Sequence, residues 1–563
     1  MSKVLPNSDS EYLESVFLDE DKLSTEQKQP SDRSQEILGT PIPGTGFSNV
    51  PCSGCGAILH CEDSTLPGYM KGEKFTLKTR DELYESVCQR CHLINNNNLC
   101  LNVKVGAEEY KDIISVIKES RSLLIVMVDL LDIENSIFPN LLESVGKQKK
   151  LFIVGNKVDL IPKDCPYYLR NVEDSLRQAC VRAGLDDYSN IKHISLISAK
   201  TGYGVENLIT KLIDYWGIRD NVYLLGSTNT GKSTLFNIFL ASDYCKSRIR
   251  DHIKRATTSV WSGTTLNLLK FPIINPEPHR VFKRRERLSR EKQNEMETKL
   301  RREKLKFTEK LDYSDTVLKE EESDVEESGQ ELISFKGSNT GEIEAQVSEI
   351  NEKDGKPSLS SFYEHQFVNV RWLYDTPGVI KSEQIVNMLK DDEVLTITPK
   401  KRLTPRVFIL DPGQVMFISG LSRLDYLQGE TSIFVTVFTN YKLPVFTKNL
   451  QSAEKFYNRQ IKFDTLRVPL EEGHHLPPLE GQTFDIIGEG SRYSTADIQL
   501  SSLGWISIAI QRNKIITLKA YTPGGNGCHV RQPSLLPNYR SFQGDRIYKT
   551  NKYKYRFPDY EKQ

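Results

Sequence analysis

The chain has no run of about 18 apolar residues, the length a membrane-crossing helix needs. Its longest apolar stretch, Leu123–Val128, has the length of a buried strand. Nothing resembling a secretory leader opens the sequence. The first 40 residues hold nine acidic and four basic residues, 4 − 9 = −5, the opposite of an Arg-rich, acid-poor organellar presequence. Net charge is also missing: Lys+Arg and Asp+Glu number 75 each, so overall charge selects no class of partner. Hydrophobic residues make up only 38% against 27% charged, too few for all 563 residues to join packed cores. Length alone suggests roughly three or four domains. Cysteine is sparse except between residues 50 and 100, which hold six of the ten. Without an export signal, that clustering points to a reducing compartment and metal ligation rather than disulfides.

What is present falls into segments. Residues 1–45 are polar and acidic and read as a disordered tail. From about 106 to 275 short apolar runs end in Gly, Ser or Asp: LLIVMV at Leu123–Val128, LFIVG at Leu151–Gly155, HISLIS at His193–Ser198 and NVYLLG at Asn221–Gly226. Helical patterns at Asn171–Ala183 and Val205–Tyr215 separate them. This alternation predicts βαβ units and a parallel sheet covered on both faces. Residues 279–306 are mostly Lys, Arg and Glu, a solvated helix at best. Residues 317–360 are acidic and rich in Ser and Gly, so 276–365 reads as a charged, largely disordered insertion. After residue 400, FIL, VMFISG, SIFVTVFTN and WISIAI alternate with Gly/Pro turns and predict a β-rich region.

Four motifs at predicted strand ends carry the chemistry, and a fifth, weaker segment adds to them. GSTNTGKS at Gly226–Ser233 follows a predicted strand and opens the helical stretch TLFNIFL. Its glycines, Gly226 and Gly231, let backbone N–H groups wrap a phosphate. Lys232 reaches the β and γ phosphates, Ser233 ligates Mg²⁺, and Thr230 and Thr234 flank them at the positive end of the helix. NKVD at Asn156–Asp159 follows the strand LFIVG. Asp159 can accept from the guanine N1–H and exocyclic amine, a pair adenine does not offer, while Asn156 and Lys157 brace base and phosphate loop. SAK at Ser198–Lys200 again follows a strand, and its Ala199 N–H could donate to guanine O6. DTPG at Asp375–Gly378 follows VRWLY: Asp375 would hold Mg²⁺ through water and the Gly378 N–H would sense a γ-phosphate. In SGTTL at Ser262–Leu266 a threonine, Thr265 rather than Thr264, could ligate Mg²⁺ in the triphosphate state. Together these predict an α/β P-loop domain for GTP and GDP. The order is unusual, because in Ras-like proteins NKxD and SAK follow the phosphate loop. Starting the chain at Leu123–Asp129 restores the usual order, so the domain reads as circularly permuted, which neighbouring surface termini permit.

Two CxxC hooks, Cys52/Cys55 and Cys88/Cys91, are separated by 32 residues and can place four thiolates on one tetrahedral Zn²⁺. A redox CxxC is the alternative, although it needs no second pair. His60, Cys61, His92 and Cys100 are further ligand candidates. At the other end, residues 521–563 hold eight Lys/Arg and three Asp/Glu, 8 − 3 = +5. Tyr548, Tyr553, Tyr555, Phe557 and Tyr560 interleave with the cations, a pattern suited to phosphate neutralisation and base stacking on RNA. A solvated tail is the alternative.

A permuted GTPase motif set preceded by CSGC and CQRC resembles the YqeH-like GTPases, whose organellar members are called nitric oxide-associated proteins. VDLLDIENS at Val128–Ser136, GLSRLDYL at Gly420–Leu427 and LGWISIAI at Leu503–Ile510 extend the resemblance from about Val50 to the end, the charged insertion excepted. The resemblance implies GTP hydrolysis in assembly of the small ribosomal subunit through ribosomal RNA, in the mitochondrion for the animal branch. It also implies peripheral association with the inner mitochondrial membrane and no membrane span. The acidic start leaves a cytoplasmic location as the alternative. No haem, flavin or NADPH motif accompanies the family's nitric oxide name. Val379, following DTPG, stands where other GTPases carry a water-orienting Gln, and Asn229 matches a K⁺-coordinating phosphate-loop Asn. Slow intrinsic hydrolysis stimulated by K⁺ is therefore expected. The rival function is an RNA-binding scaffold that retains nucleotide affinity with little turnover. The expected layout is a tail (1–45), a zinc ribbon (46–105), the permuted GTPase domain (106–400) and a β-rich RNA-binding domain (401–563).

Overall fold

The structure is a computed structural model. It describes residues 40–97; 107–273 apart from 140, 186–189, 216–219, 243–254 and 262; most of 282–301; and 371–555 apart from 464, 471–474 and 547–552. Most of the acidic tail and of the insertion, and residues 547–552 and 556–563 of the basic-aromatic C-terminus, therefore lie outside the described residues, as do Cys100 and Ser262.

The Cys-rich module comes first. After the turn carrying CSGC, two one-turn helices lead to helix α1 (Gln89–Asn97), whose first turn carries Cys91. The second of them starts at a capping box, in which the Thr79 side chain and Glu82 satisfy each other's backbone N–H groups.

Helix α2 (Ala107–Glu119) then opens the α/β region, followed by β1 (Ser122–Asp129), β2 (Lys150–Asn156), α3 (Tyr168–Arg182), β3 (Ile191–Leu196) and α4 (Val205–Tyr215). Next come β4 (Asn221–Gly226), α5 (Lys232–Ala241), β5 (Leu269–Ile273) and β6 (Arg371–Asp375). The six strands make one sheet in the order β3-β2-β1-β4-β6-β5, parallel except for β5 against β6. The predicted apolar runs become strands because both faces are buried. Leu124, Val126 and Val128 of β1 pack on one side, with α3. Leu123, Ile125 and Met127 pack on the other, with α4 and α5. From β1 the chain runs outward through β2 and β3, and from β4 it runs the opposite way to β6. The reversal between β1 and β4 makes a crevice at the C-terminal strand ends, the place where open α/β sheets bind ligands.

The C-terminal region starts with α6 (Asp391–Ile397) and continues as β7 (Arg406–Leu410), β8 (Gln414–Ile418), β9 (Ser422–Gln428), β10 (Ile433–Thr439) and β11 (Val445–Asn449). It goes on through α7 (Ala453–Gln460), β12 (Leu479–Ile487), β13 (Ala496–Leu500), β14 (Gly504–Ala509), β15 (Ile515–Pro523) and β16 (Cys528–Arg531). Two antiparallel five-stranded sheets result, β16-β13-β14-β10-β7 and β11-β8-β9-β15-β12, enclosing an apolar core. This region does not hang free: Phe438, Trp505, Leu535, Leu536 and Tyr539 are buried in the same cluster as β1 and α3.

One expectation needs amending. Residues 282–290 of the charged block are helical, but not merely solvated. Arg284 is buried against Glu206, and Arg285 meets Asp214 at 2.7 Å, so guanidiniums of the block neutralise carboxylates of α4. Among the described residues no helix is long and apolar enough to cross a membrane.

Candidate functional site

All four motifs lie at the C-terminal ends of parallel strands, and the phosphate loop and Gly378 line one cavity there. Gly226 ends β4, and Lys232 begins α5 after a loop in which Asn229 and Gly231 take positive φ of 60° and 92°. At Gly231 a Cβ would come 2.3 Å from Asn156 Nδ2, so the NKVD asparagine packs directly on the phosphate loop. Asn156 uses both ends of its amide. Its Nδ2 donates to the Thr230 carbonyl at 2.8 Å, and its Oδ1 accepts from the Ala199 N–H at 2.8 Å. One side chain thus ties NKVD, the phosphate loop and SAK together. The Ala199 N–H, expected to face guanine O6, instead serves this brace. Ser198 is buried, and its hydroxyl accepts from the Thr201 N–H at 3.1 Å, shaping the turn. Lys200 points outward to the Lys400 carbonyl at 3.1 Å, away from this brace. Asp159 is half-buried in the middle of a short 3₁₀ turn, Val158–Leu160, which Lys157 precedes in left-handed geometry at φ 72°.

Sequence reasoning missed the partner of Lys157. Its ammonium meets Asp129 Oδ2 at 2.6 Å, while Asp129 Oδ1 accepts from the Leu131 N–H at 3.0 Å. The signal lay in VDLLD, where an acid closes an otherwise apolar strand.

Three oxygens converge beside Lys232. Ser233 Oγ lies 2.8 Å from Thr265 Oγ1 and 2.7 Å from Asp375 Oδ2, and Thr265 Oγ1 is 3.3 Å from that carboxylate oxygen. Asp375 is fully buried, and its other oxygen, Oδ1, has no hydrogen-bond partner. Burial pushes the Asp375 carboxyl up to about 6. Three hard oxygen donors with one orphaned acceptor fit a small divalent cation such as Mg²⁺. Lys232 is buried too, its ammonium pulled down to about 8 by desolvation. It donates to the Gly226 and Ser227 carbonyls at 3.1 and 2.7 Å, within the loop that would hold phosphate. DTPG closes the other wall. A Cβ on Gly378 would sit 2.9 Å from Thr228 Cα and 3.2 Å from Lys232 Nζ. Beyond it, Val379 donates to the Gly226 carbonyl at 3.3 Å and accepts from Thr228 N–H at 3.0 Å, bridging to the phosphate loop. Thr234 and Asn229 line the same cavity.

The second centre is the four-cysteine cluster. The Sγ atoms of Cys52, Cys55, Cys88 and Cys91 all lie within 4.8 Å of one another and are buried. Cys52–Cys91 and Cys55–Cys88 are 3.9 and 3.7 Å apart, close to the ~3.8 Å edge of a tetrahedron with Zn–S near 2.3 Å. Hydrogen bonds from the other three thiols hold Cys52 well below its ordinary range, and donation to Cys52 raises Cys55 and Cys91. A divalent cation resolves that competition by taking several thiolates at once. The donor set is compatible with zinc. The spare candidates stay out of it: His60 Nε2 faces the Pro67 carbonyl, Cys61 Sγ faces Thr45 Oγ1, and His92 faces Asn96.

A parallel sheet with a glycine-rich strand–loop–helix turn at its switch point defines an α/β protein of the phosphate-loop class. No family model matches the chain. Nitric oxide-associated protein 1 of Homo sapiens is 37% identical over 93% of this chain and 80% of its own length, and that of Mus musculus is 34% identical over 92% and 80%. YqeH of Bacillus subtilis is 25% identical over 86% of this chain and 99% of its own length. A chloroplastic protein of Arabidopsis thaliana, 21% identical over 80% of this chain and 56% of its own length, is described as GTP-binding. The chain belongs to the YqeH-like family of nitric oxide-associated proteins.

Proposed function

We propose that the chain is a circularly permuted, Mg²⁺-dependent GTPase that acts in small ribosomal subunit assembly, in the mitochondrion, by binding ribosomal RNA. The observation that carries the GTPase reading is the meeting of Ser233, Thr265 and Asp375 beside Lys232, three segments far apart in sequence. Permutation is supported by the sheet. β2 and β3, which carry NKVD and SAK, flank β1 on one side of β4, and β6 with DTPG lies on the other. Neighbours of this kind depend on pairing, not on where the chain starts. Guanine selectivity rests on Asp159, and Zn²⁺ in the four-cysteine cluster completes the cofactor set.

In this reading Val379 gives water no hydrogen-bonding side chain, so intrinsic hydrolysis is slow and K⁺ beside Asn229 supplies positive charge. Coupling to the C-terminal region runs through the segment after DTPG. The Glu383 carbonyl accepts from Ser501 Oγ at 2.6 Å, and the Ile385 N–H donates to that hydroxyl at 2.9 Å. Movement of Gly378 on γ-phosphate loss would pull on the β13–β14 turn, and so on the RNA-binding domain. The organellar location is supported by the printed name of an Arabidopsis thaliana relative, "NO-associated protein 1, chloroplastic/mitochondrial". Phosphate release from GTP by purified full chain, in K⁺ and in Na⁺ and with Lys232→Ala as control, tests the chemistry. No release above the Lys232→Ala background removes the GTPase reading, and equal rates in the two salts remove the K⁺ role. Crosslinking to RNA in cells tests the partner.

A further inference from the structure

The four-cysteine module holds both sides of Thr265. Arg90 lies between Cys88 and Cys91, and its buried guanidinium donates to the Gly263 carbonyl at 2.6 Å and the Thr264 carbonyl at 3.3 Å. On the far side of Thr265, the Leu266 and Asn267 N–H groups donate to the Cys55 carbonyl at 2.9 and 3.1 Å. A third link runs from the Thr257 N–H to the Gly54 carbonyl at 2.9 Å. The residues immediately before and after Thr265 are thus hydrogen-bonded to CQRC and CSGC respectively. The fit has little slack: a Cβ on Gly54 would stand 2.4 Å from Thr257 Oγ1, and one on Gly56 2.9 Å from the Asn267 carbonyl oxygen. Trp261, two residues before Gly263, and Ile94 of α1 are buried in one apolar cluster with the C-terminal sheets.

A threonine that joins Mg²⁺ only in the triphosphate state usually rides on a segment that orders as it binds. Here that segment is moored to a module whose shape four thiolates and a metal define. We propose that Arg90 is a positioning residue for Thr265, and that the four-cysteine centre, through Arg90 and the Cys55 carbonyl, holds this threonine ready to meet Mg²⁺. The proposal rests on reading Thr265 as a Mg²⁺ ligand. Because the loop is ordered beforehand, less conformational freedom is lost when the triphosphate binds. The diphosphate, which does not recruit Thr265, gains nothing from the clamp. The consequence is selective: damage to the clamp weakens Mg²⁺·triphosphate binding and spares diphosphate binding.

The test uses the full chain and compares Arg90→Gln, Arg90→Lys and Thr265→Ala. Mg²⁺ is titrated against a fluorescent non-hydrolysable GTP analogue and against fluorescent GDP, and zinc content is measured for each protein. Arg90→Gln is expected to raise the Mg²⁺ needed for half-maximal analogue binding by roughly tenfold while GDP binding stays within about twofold. Zinc content stays unchanged, and Arg90→Lys falls between. Thr265→Ala shows the same selective loss. If Thr265→Ala is selective and Arg90→Gln is not, the clamp is overturned and the ligand reading stands. If neither is selective, the ligand reading fails and takes the clamp with it. Should Arg90→Gln lose zinc or fail to fold, hydrogen exchange on the unaltered protein with and without a zinc chelator decides. Faster exchange at Leu266 and Asn267, with β1 and β4 still protected, supports the clamp. Unchanged protection there after verified zinc loss overturns it, as does loss of protection throughout, since the centre would then hold the fold and not the switch.

Discussion

The Lys157 ammonium sits 2.6 Å from Asp129 Oδ2, joining the C-terminal ends of β2 and β1. The pair is mostly buried, with side-chain exposures of 24% and 14%, so removing the charge of one partner frees the other's long side chain to wander. Asp129→Asn should weaken GDP and GTP binding alike by about 1–2 kcal/mol, roughly tenfold in Kd. Fluorescent nucleotide titration measures it. A loss confined to GTP would show that the pair acts on the phosphates and not on the base.

In the proposed function, base choice rests on Asp159: its carboxylate would accept from two donors on guanine, whereas an amide at the same place offers one donor and one acceptor. Asp159→Asn should lower GTP affinity by roughly 10³-fold or more and improve binding of xanthosine triphosphate, whose 2-carbonyl can accept from the new amide. Competition between the two nucleotides reads the change. Unaltered preference for GTP would mean that the base lies elsewhere.

Asp132 links the α/β and C-terminal regions at their junction. It accepts from Asn135 Nδ2 at 2.7 Å and lies 3.5 Å from Gln384 Nε2 and 3.4 Å from Gln499 Nε2. Desolvation by burial pushes its carboxyl up to about 7. A carboxyl raised on folding binds more protons in the native state, so stability falls as pH climbs from about 4 to about 7. Denaturant unfolding at pH 5 and pH 8 should show the unaltered protein losing stability at the higher pH. Asp132→Asn should lose distinctly less. Parallel curves for the two proteins would mean that Asp132 titrates near its ordinary value.

Gly527 faces the segment that follows DTPG. It has φ +68°, and a Cβ there would come 2.2 Å from the Glu383 carbonyl oxygen and 2.7 Å from Ser501 Cβ. Gly527→Ala should force residues 383–385 off the β13–β14 turn, at a stability cost of about 1–3 kcal/mol. It should also abolish any difference in RNA affinity between GTP- and GDP-bound forms. A GTP/GDP difference that persists in a folded Gly527→Ala protein would show that coupling takes another route.

Much of the site was legible in the sequence because it depends on local backbone. A glycine-rich turn between a strand and a helix, or two cysteines at CxxC spacing, has its shape written into three to eight consecutive residues. Strands β1, β2 and β4 were equally visible, since burial of both faces demands uninterrupted apolar runs. The hidden features are contacts between residues whose individual environments look ordinary in sequence. Asp129 reads as the polar end of a strand until Lys157 stands beside it. Arg90, one of many cations in the sequence, gains its role only where its guanidinium meets the Gly263 and Thr264 carbonyls. The brace from Asn156 to Thr230 and Ala199 spans 74 and 43 residues. Sequence by itself therefore determined the parallel-sheet core, the phosphate-loop turn and the four-cysteine hooks, through local conformation and hydrophobic period. Only the tertiary structure decided that the four-cysteine module grips the Thr265 loop and that the C-terminal sandwich shares a core with β1. Those outcomes depend on which surfaces lie a few ångströms apart, which no local period encodes.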